Sequence, residues 1–133
     1  MPLKPMHDSI PMQDKKILIA EDEKPVSKAL ELKLSNAGYI VHPVFDGEEA
    51  VRAIEKGHYD LVLLDLVLPK IDGFGVLERI KSKGIKTPVI VTSNLSQDTD
   101  VKRTKELGAV DYFVKSDIPI SEVVERVKRA LVL

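Results

Sequence analysis

The segment that most constrains this chain is Leu61-Val62-Leu63-Leu64-Asp65, four aliphatic residues that run straight into a lone carboxylate. Within eight residues the run is closed off by Pro69 and then by Asp72-Gly73. A run so short and so uniformly apolar predicts a strand buried on both faces of a parallel sheet. Asp65 then falls at the carboxyl end of the strand, where open α/β sheets place their ligands. An ionised group on a buried strand is unfavourable unless something pairs with it. The rest of the chain must supply Asp65 with company.

Aliphatic runs and helix-period segments alternate five times along the sequence. Lys16 to Ala20 reads as a first strand, followed at once by Glu21-Asp22-Glu23. Pro25 suits the first turn of a helix whose apolar stripe is Val26, Ala29, Leu30, Leu34 and Ala37, stopped by Gly38. Ile40 to Phe45 is a second strand, and Pro43 within it argues for a sheet edge because proline cannot donate to a ladder. Asp46-Gly47-Glu48-Glu49 resembles a capping box for a helix carrying Ala50, Val51 and Ile54. After the Asp65 strand, Asp72-Gly73 shapes a loop and opens a helix with Phe74, Leu77 and Ile80. Thr87 to Thr92 predicts the fourth strand and Asp111 to Val114 the fifth. Between them Ser96 to Leu107 is a weakly apolar helix, anchored by Val101 and Leu107. A last helix from about Pro119 carries Ile120, Val123, Val124, Val127 and Leu131. Repeated β/α units of this kind predict an α/β fold with a doubly wound, five-stranded parallel sheet.

Bulk properties narrow the function classes. A chain of 133 residues, 44% hydrophobic and 31% charged, fits one soluble domain. Twenty basic against 21 acidic residues leave no surplus for neutralising phosphates, so direct nucleic-acid binding by this chain is not expected. The absence of cysteine excludes disulfides and thiolate metal sites and fits a cytoplasmic location. No apolar run reaches the roughly 18 residues of a membrane span. Residues 1–14, with three prolines and no periodicity, are expected to be a flexible tail, and Met12 could serve as a later start. Residues 15–133 form the domain, and no output domain is expected after its last helix.

The unusual charges fall at one end of such a sheet. Glu21 and Asp22 follow strand one, Asp65 ends strand three, and Lys115 follows strand five. Carboxylates that converge repel by about 4 kcal/mol per pair at ~4 Å and an effective dielectric of ~20. A hard divalent cation with oxygen ligands removes that conflict, and Mg²⁺ is the natural choice. The plainer alternative is that Glu21 and Asp22 cap the first helix while Asp65 pairs with Lys115.

The set Glu21-Asp22, Asp65-x-x-x-Pro69-x-x-Asp72-Gly73, a hydroxyl after strand four and Lys115 after strand five resembles the receiver domain of bacterial two-component response regulators. The similarity covers residues 15–132. It implies the flavodoxin-like strand order 2-1-3-4-5, which is carried over from the family. It implies that Asp65 accepts a phosphoryl group from a sensor histidine kinase or a small donor such as acetyl phosphate. Mg²⁺ would be held by Asp22, Asp65 and the backbone carbonyl of Val67, with Glu21 acting through water, and Lys115 would neutralise charge. Ser93, five residues beyond Pro88, is favoured over its neighbour Thr92 as the switch hydroxyl, and Tyr112 matches the aromatic switch position, free to turn inward on phosphorylation. The protein would not be an enzyme beyond self-phosphorylation and slow autodephosphorylation. A downstream protein partner would read the surface around strand four, helix four, strand five and helix five.

The sequence departs from the family pattern in several places. Ser116 follows Lys115 where most receivers have a proline in a cis peptide; a cis bond before serine costs about 2.5–4 kcal/mol, so a trans bond is expected. Asn94 follows Ser93 and should narrow access. Val67 and Leu95 flank the expected path of hydrolytic water and offer it no hydrogen bond, which predicts a long-lived phosphoryl-aspartate. Asp111 and Arg126 match positions used across dimer faces, so a phosphorylation-dependent homodimer is an expectation. A flavodoxin-type cofactor binder is disfavoured by Glu21-Asp22-Glu23 in place of a phosphate-binding loop. A phosphatase of the haloacid dehalogenase type would want an acid where Val67 stands. A degenerate receiver acting only as an interaction module is the remaining alternative. His7, His42 and His58 suggest no chemistry.

Overall fold

The computed structural model describes residues 15–95 and 97–132, so the expected 1–14 tail lies outside the described residues. The elements are β1 Lys16–Ala20, α1 Lys24–Asn36, β2 Ile40–Val44, α2 Gly47–Lys56, β3 Leu61–Leu64, α3 Gly73–Ser82, β4 Val89–Ser93, α4 Asp98–Glu106, β5 Asp111–Val114 and α5 Ile120–Val132. All strand pairs are parallel, in the order β2-β1-β3-β4-β5. β2 is an edge strand, as Pro43 requires. Among the described residues no helix is long and apolar enough to cross a membrane.

Strand alternation sorts the core into two layers. Ile17, Ile19, Leu61, Leu63, Ile90 and Phe113 point toward α1 and α5, where they meet Leu30, Leu34, Val123, Val124 and Val127. Leu18, Ala20, Val62, Leu64, Val89 and Val91 point toward α2 and α3, against Ala50, Val51, Ile54, Val76, Leu77 and Ile80. All four side chains of β3 are buried, which is why that strand reads as an unbroken aliphatic run. Each such side chain contributes about 1.5–3 kcal/mol of burial.

Some boundaries move from their expected places. In α1 the buried face is Ser27, Leu30 and Leu34, while Ala37 is the exposed C-cap and takes no part in the stripe. β4 starts at Val89, one residue past Pro88, whose carbonyl accepts from Val62 N. α4 begins at Asp98 with Gln97 as its N-cap, the expected start at Ser96 lies outside the described residues, and Thr104 is the helix's buried residue. Helix initiation elsewhere follows the sequence. Asp46 accepts from Glu49 N at 2.7 Å, Glu49 reaches back to Phe45 N at 3.4 Å, and Asp72 caps α3 through Gly75 N at 2.9 Å.

Two glycines allow the loop after β3 to close on its neighbours. A Cβ at Gly73 would lie 2.5 Å from the Asp65 carbonyl oxygen and 2.6 Å from Leu66 Cα. A Cβ at Gly47 would lie 1.6 Å from the Ile71 carbonyl oxygen. In both cases the obstacle is backbone, which cannot swing aside. Gly47→Ala should therefore lower the unfolding free energy by ~3 kcal/mol or more, at or beyond the upper end of overpacking effects, with Gly73→Ala close behind. Gly84→Ala, at φ +69° with open space around it, should cost only the ~1–2 kcal/mol of a left-handed conformation. Urea denaturation of the three variants checks the ranking, and equal losses would contradict it.

Candidate functional site

Backbone hydrogen bonds between neighbouring strands fix the ends of β1, β3 and β5. The register pairs Ala20 with Leu64, so the residues that follow, Glu21 and Asp65, emerge side by side. Asp65 N donates to the Ala20 carbonyl at 3.0 Å, and Glu21 N donates to the Val44 carbonyl at 3.1 Å. Lys115 N is held by the Ser93 carbonyl at 2.8 Å. The three functional groups are thus set by sheet register and not by loop conformation.

Lys115 Nζ donates to Glu21 Oε1 at 2.7 Å, Asp65 Oδ2 at 3.0 Å and Glu23 Oε1 at 3.2 Å. The other oxygen of Asp65 accepts from Val67 N at 3.2 Å, and Glu21 Oε2 accepts from Glu23 N at 3.0 Å. Glu21 and Asp65 are buried while Asp22 is exposed, yet oxygens of all three lie within 4.8 Å of one another. Burial raises the proton affinity of Glu21; its bonds to Lys115 and Glu23 N pull it back only partly, and the Asp65 charge adds to the rise. Burial by itself would ease the proton off Lys115, but hydrogen bonds to Glu21 and Asp65 and their charges outweigh it and hold the ammonium protonated beyond the ordinary lysine range.

The structure brings Asp22, Asp65, Val67 and Lys115 around one cavity of about 320 Å³, together with Glu23 and Asn94. Glu21 lies buried beneath it, bonded to Lys115. Glu21 and Asp22 do not cap α1, whose N-cap is Glu23 with no side-chain cap bond. The Asp65–Lys115 pair of the plainer alternative is present, and it coexists with the carboxylate cluster. Leu95 packs against the core cluster under α2 and α3 while Asn94 stands at the cavity wall, so Val67 alone of the two apolar positions lines the cavity. The Lys115–Ser116 peptide is trans. Glu23 was legible only as the last member of the Glu21-Asp22-Glu23 run, because its reach to Lys115 depends on β1 and β5 ending on the same side.

Alternation separates the two hydroxyls. Thr92 pairs with Phe113 on the α1/α5 side, whereas Ser93 follows Val91 toward the side occupied by Tyr112. Ser93 is fully buried, and its Oγ accepts from Leu95 N at 3.3 Å. Tyr112 hydroxyl donates to the Leu95 carbonyl at 2.6 Å. The ring expected to turn inward is already half-buried here, packed against the core cluster. Asp111 and Arg126 pair within the chain at 3.3 Å, and Arg126 also holds Glu122 at 3.1 Å. His42 bonds Tyr59 at the β2 edge, and His58 is exposed.

Removing Lys115 isolates the tension in this cluster. In metal-free buffer at pH 7, Lys115→Met should destabilise by about 2–3 kcal/mol, below the ~3–5 of fully buried pairs because the ammonium retains 15% exposure. Glu21 has a raised pKa, so its contribution to stability is present below its ordinary value and is lost as pH rises through the folded value. The deficit should narrow as pH falls from 7 toward about 4.5, and adding Glu21→Gln at pH 7 should recover part of it. Urea unfolding across pH measures both, and a pH-independent deficit would refute the account.

Comparison with known proteins agrees with this arrangement. The family model described as the response regulator receiver domain matches residues 17–128. The transcriptional regulatory protein DltR of Streptococcus agalactiae is 42% identical over 100 residues, covering 75% of this chain and 45% of DltR. This chain spans about half the length of the curated relatives it matches. The receiver domain of Francisella response regulator 1452 superposes with a TM-score of 0.84 at 30% identity, covering 89% of this chain and 97% of that one. The receiver domain of the Pseudomonas aeruginosa sensor histidine kinase PA1611, solved with a magnesium ion coordinated in its active site cleft, gives 0.80 at 29% identity over 90% of this chain and 99% of that one. By fold, strand order and sequence family alike, this chain is a response regulator receiver domain of two-component signalling.

Proposed function

We propose that this receiver accepts a phosphoryl group on Asp65 from a sensor histidine kinase, in a reaction that requires Mg²⁺. The observation that carries the reading is the environment of Asp65: a buried carboxylate at a strand end, held by Val67 N and Lys115 Nζ, facing an open cavity beside two further acids. In the transfer an Asp65 carboxylate oxygen forms the new bond to phosphorus. The bond to the donor's imidazole nitrogen, or to the acetate oxygen of acetyl phosphate, breaks, and its electron pair leaves with that group. Phosphoryl transfer depends on in-line positioning and charge neutralisation, and the backbone bonds that fix Asp65 serve the first. Lys115 supplies a permanent positive charge for the second.

Hard carboxylate oxygens converging from Glu21, Asp22 and Asp65 are the donor set that suits Mg²⁺, and the relative PA1611 carries that ion in its cleft. Asp22, Asp65 and the Val67 carbonyl would hold the ion, with Glu21 acting through water; when bound, it neutralises charge on the transferring group. Ser93 is the hydroxyl this reading assigns to the phosphate, supported by its lying on the Tyr112 side while Thr92 faces the opposite layer. The Ser93–Leu95–Tyr112 series of bonds links that hydroxyl to the aromatic ring. α4, which buries one side chain, is the element such a change would move most readily, altering the β4-α4-β5-α5 surface for a downstream protein. The chain turns over no separate substrate in this reading. It works in the cytoplasm, and phosphorylation-dependent dimerisation through α5 is part of the same proposal.

Acetyl phosphate with Mg²⁺ should add one phosphoryl group by intact-mass measurement. Asp65→Asn or excess EDTA should abolish the label, and a label that survives either would refute the assignment. Val67 offers hydrolytic water no hydrogen bond, so the phosphoryl-aspartate should persist after donor removal; rapid loss of the label would contradict that part.

A further inference from the structure

A lysine ammonium has three hydrogens to donate. In this structure Lys115 gives them to three carboxylates, Glu21, Asp65 and Glu23. An incoming phosphoryl oxygen that is to reach Lys115 must displace one of them. Glu21 is buried and also holds Glu23 N, so it is the least able to leave. Asp65 is the acceptor itself, tied down at both oxygens. Glu23 differs from both, because its side chain is 58% exposed and its contact with Lys115 is the longest of the three. It stands at the N-cap of α1 yet makes no side-chain cap bond there, spending its carboxylate on Lys115 instead. It also lines the cavity that a donor must enter.

We propose that Glu23 is a displaceable stand-in for the phosphoryl oxygen, a positioning residue that occupies the third hydrogen of Lys115 and screens the site against small anionic donors. The proposal rests on the assignment of Asp65 as acceptor. In the resting protein Glu23 keeps Lys115 aimed at the cavity and saturated with partners. On phosphorylation it must swing into solvent, a movement that exposed side chains make easily. Its negative charge at the mouth opposes a free dianion such as acetyl phosphate. A protein donor offsets that repulsion with contacts elsewhere on its surface, so the screen favours the kinase over metabolic phosphate donors.

The test compares wild type with Glu23→Gln and Glu23→Ala at saturating Mg²⁺, so that any change in metal affinity does not enter. The rate of labelling by acetyl phosphate should rise about two- to fivefold in Glu23→Ala, the scale of an exposed ion pair, and by less in Glu23→Gln. The gain should shrink as ionic strength is raised, because screening already weakens the charge of Glu23 in the wild type. It should also be smaller with phosphoramidate, a donor of lower charge. A second readout needs no turnover: a ¹⁹F NMR titration with beryllofluoride, a phosphoryl mimic, should show tighter binding to Glu23→Ala. Unchanged labelling rates and unchanged beryllofluoride affinity would overturn the proposal while leaving Asp65 as acceptor. A wild-type protein that takes no label from either donor would overturn both.

Discussion

One ammonium, carried past the end of β5 and shared among carboxylates at the ends of β1 and β3, is the interaction on which the rest of this structure depends. Two of those carboxylates, Glu21 and Asp65, are buried, and burying an ionised group without a partner is prohibitive. The sheet order resolves the conflict. Placing β1 beside β3 sets the two acids next to one another, and a long lysine following β5, two positions from β3 and three from β1, reaches across to both. The main-chain bonds that hold Asp65 to β1 and Lys115 to β4 make this geometry a consequence of register. A tension between like charges is thereby retained inside the fold.

The region around the charge cluster is graded in firmness. Beneath the acids, β1 and β3 are fully enclosed between helix layers, and Gly73 lets α3 start against the backbone of Asp65 and Leu66. Toward β5 the packing thins. α4 is held to α3 largely by polar contacts: Arg103 lies over the Phe74 ring at 4.3 Å and meets Glu78 at 3.3 Å, while Lys81 donates to the Glu106 carbonyl at 3.1 Å. Exposed contacts of that kind are individually weak. The Ser93–Leu95–Tyr112 series of bonds ends in this softer region, so Asp65 has a compliant neighbourhood on one side and a rigid one on the other.

Much of this was legible beforehand because the signals were local. The aliphatic runs, Pro43 on the edge strand, the Asp46 and Asp72 caps and the acids at strand ends all act through their own backbone neighbours. Errors appeared where distant groups compete. Ser27 is buried in α1 although it is polar, and Ala37 is left outside the stripe because the helix ends at it. Leu95 turned to the core because an apolar side chain gains more there than at a polar cavity.

The sequence by itself determined the alternating elements, the parallel sheet and the identity of the acids and the lysine that share one end of it. Each of these follows from periodicity, from turn chemistry or from a family pattern of residue types. Tertiary structure alone decided how the charges are shared. Whether Lys115 serves Asp65 only or three carboxylates at once depends on side chains that meet across 50 to 94 residues of chain. The contact of Glu23 with Lys115 belongs to that second class, because no local rule gives an exposed N-cap carboxylate a reason to leave its helix for a lysine that follows another strand.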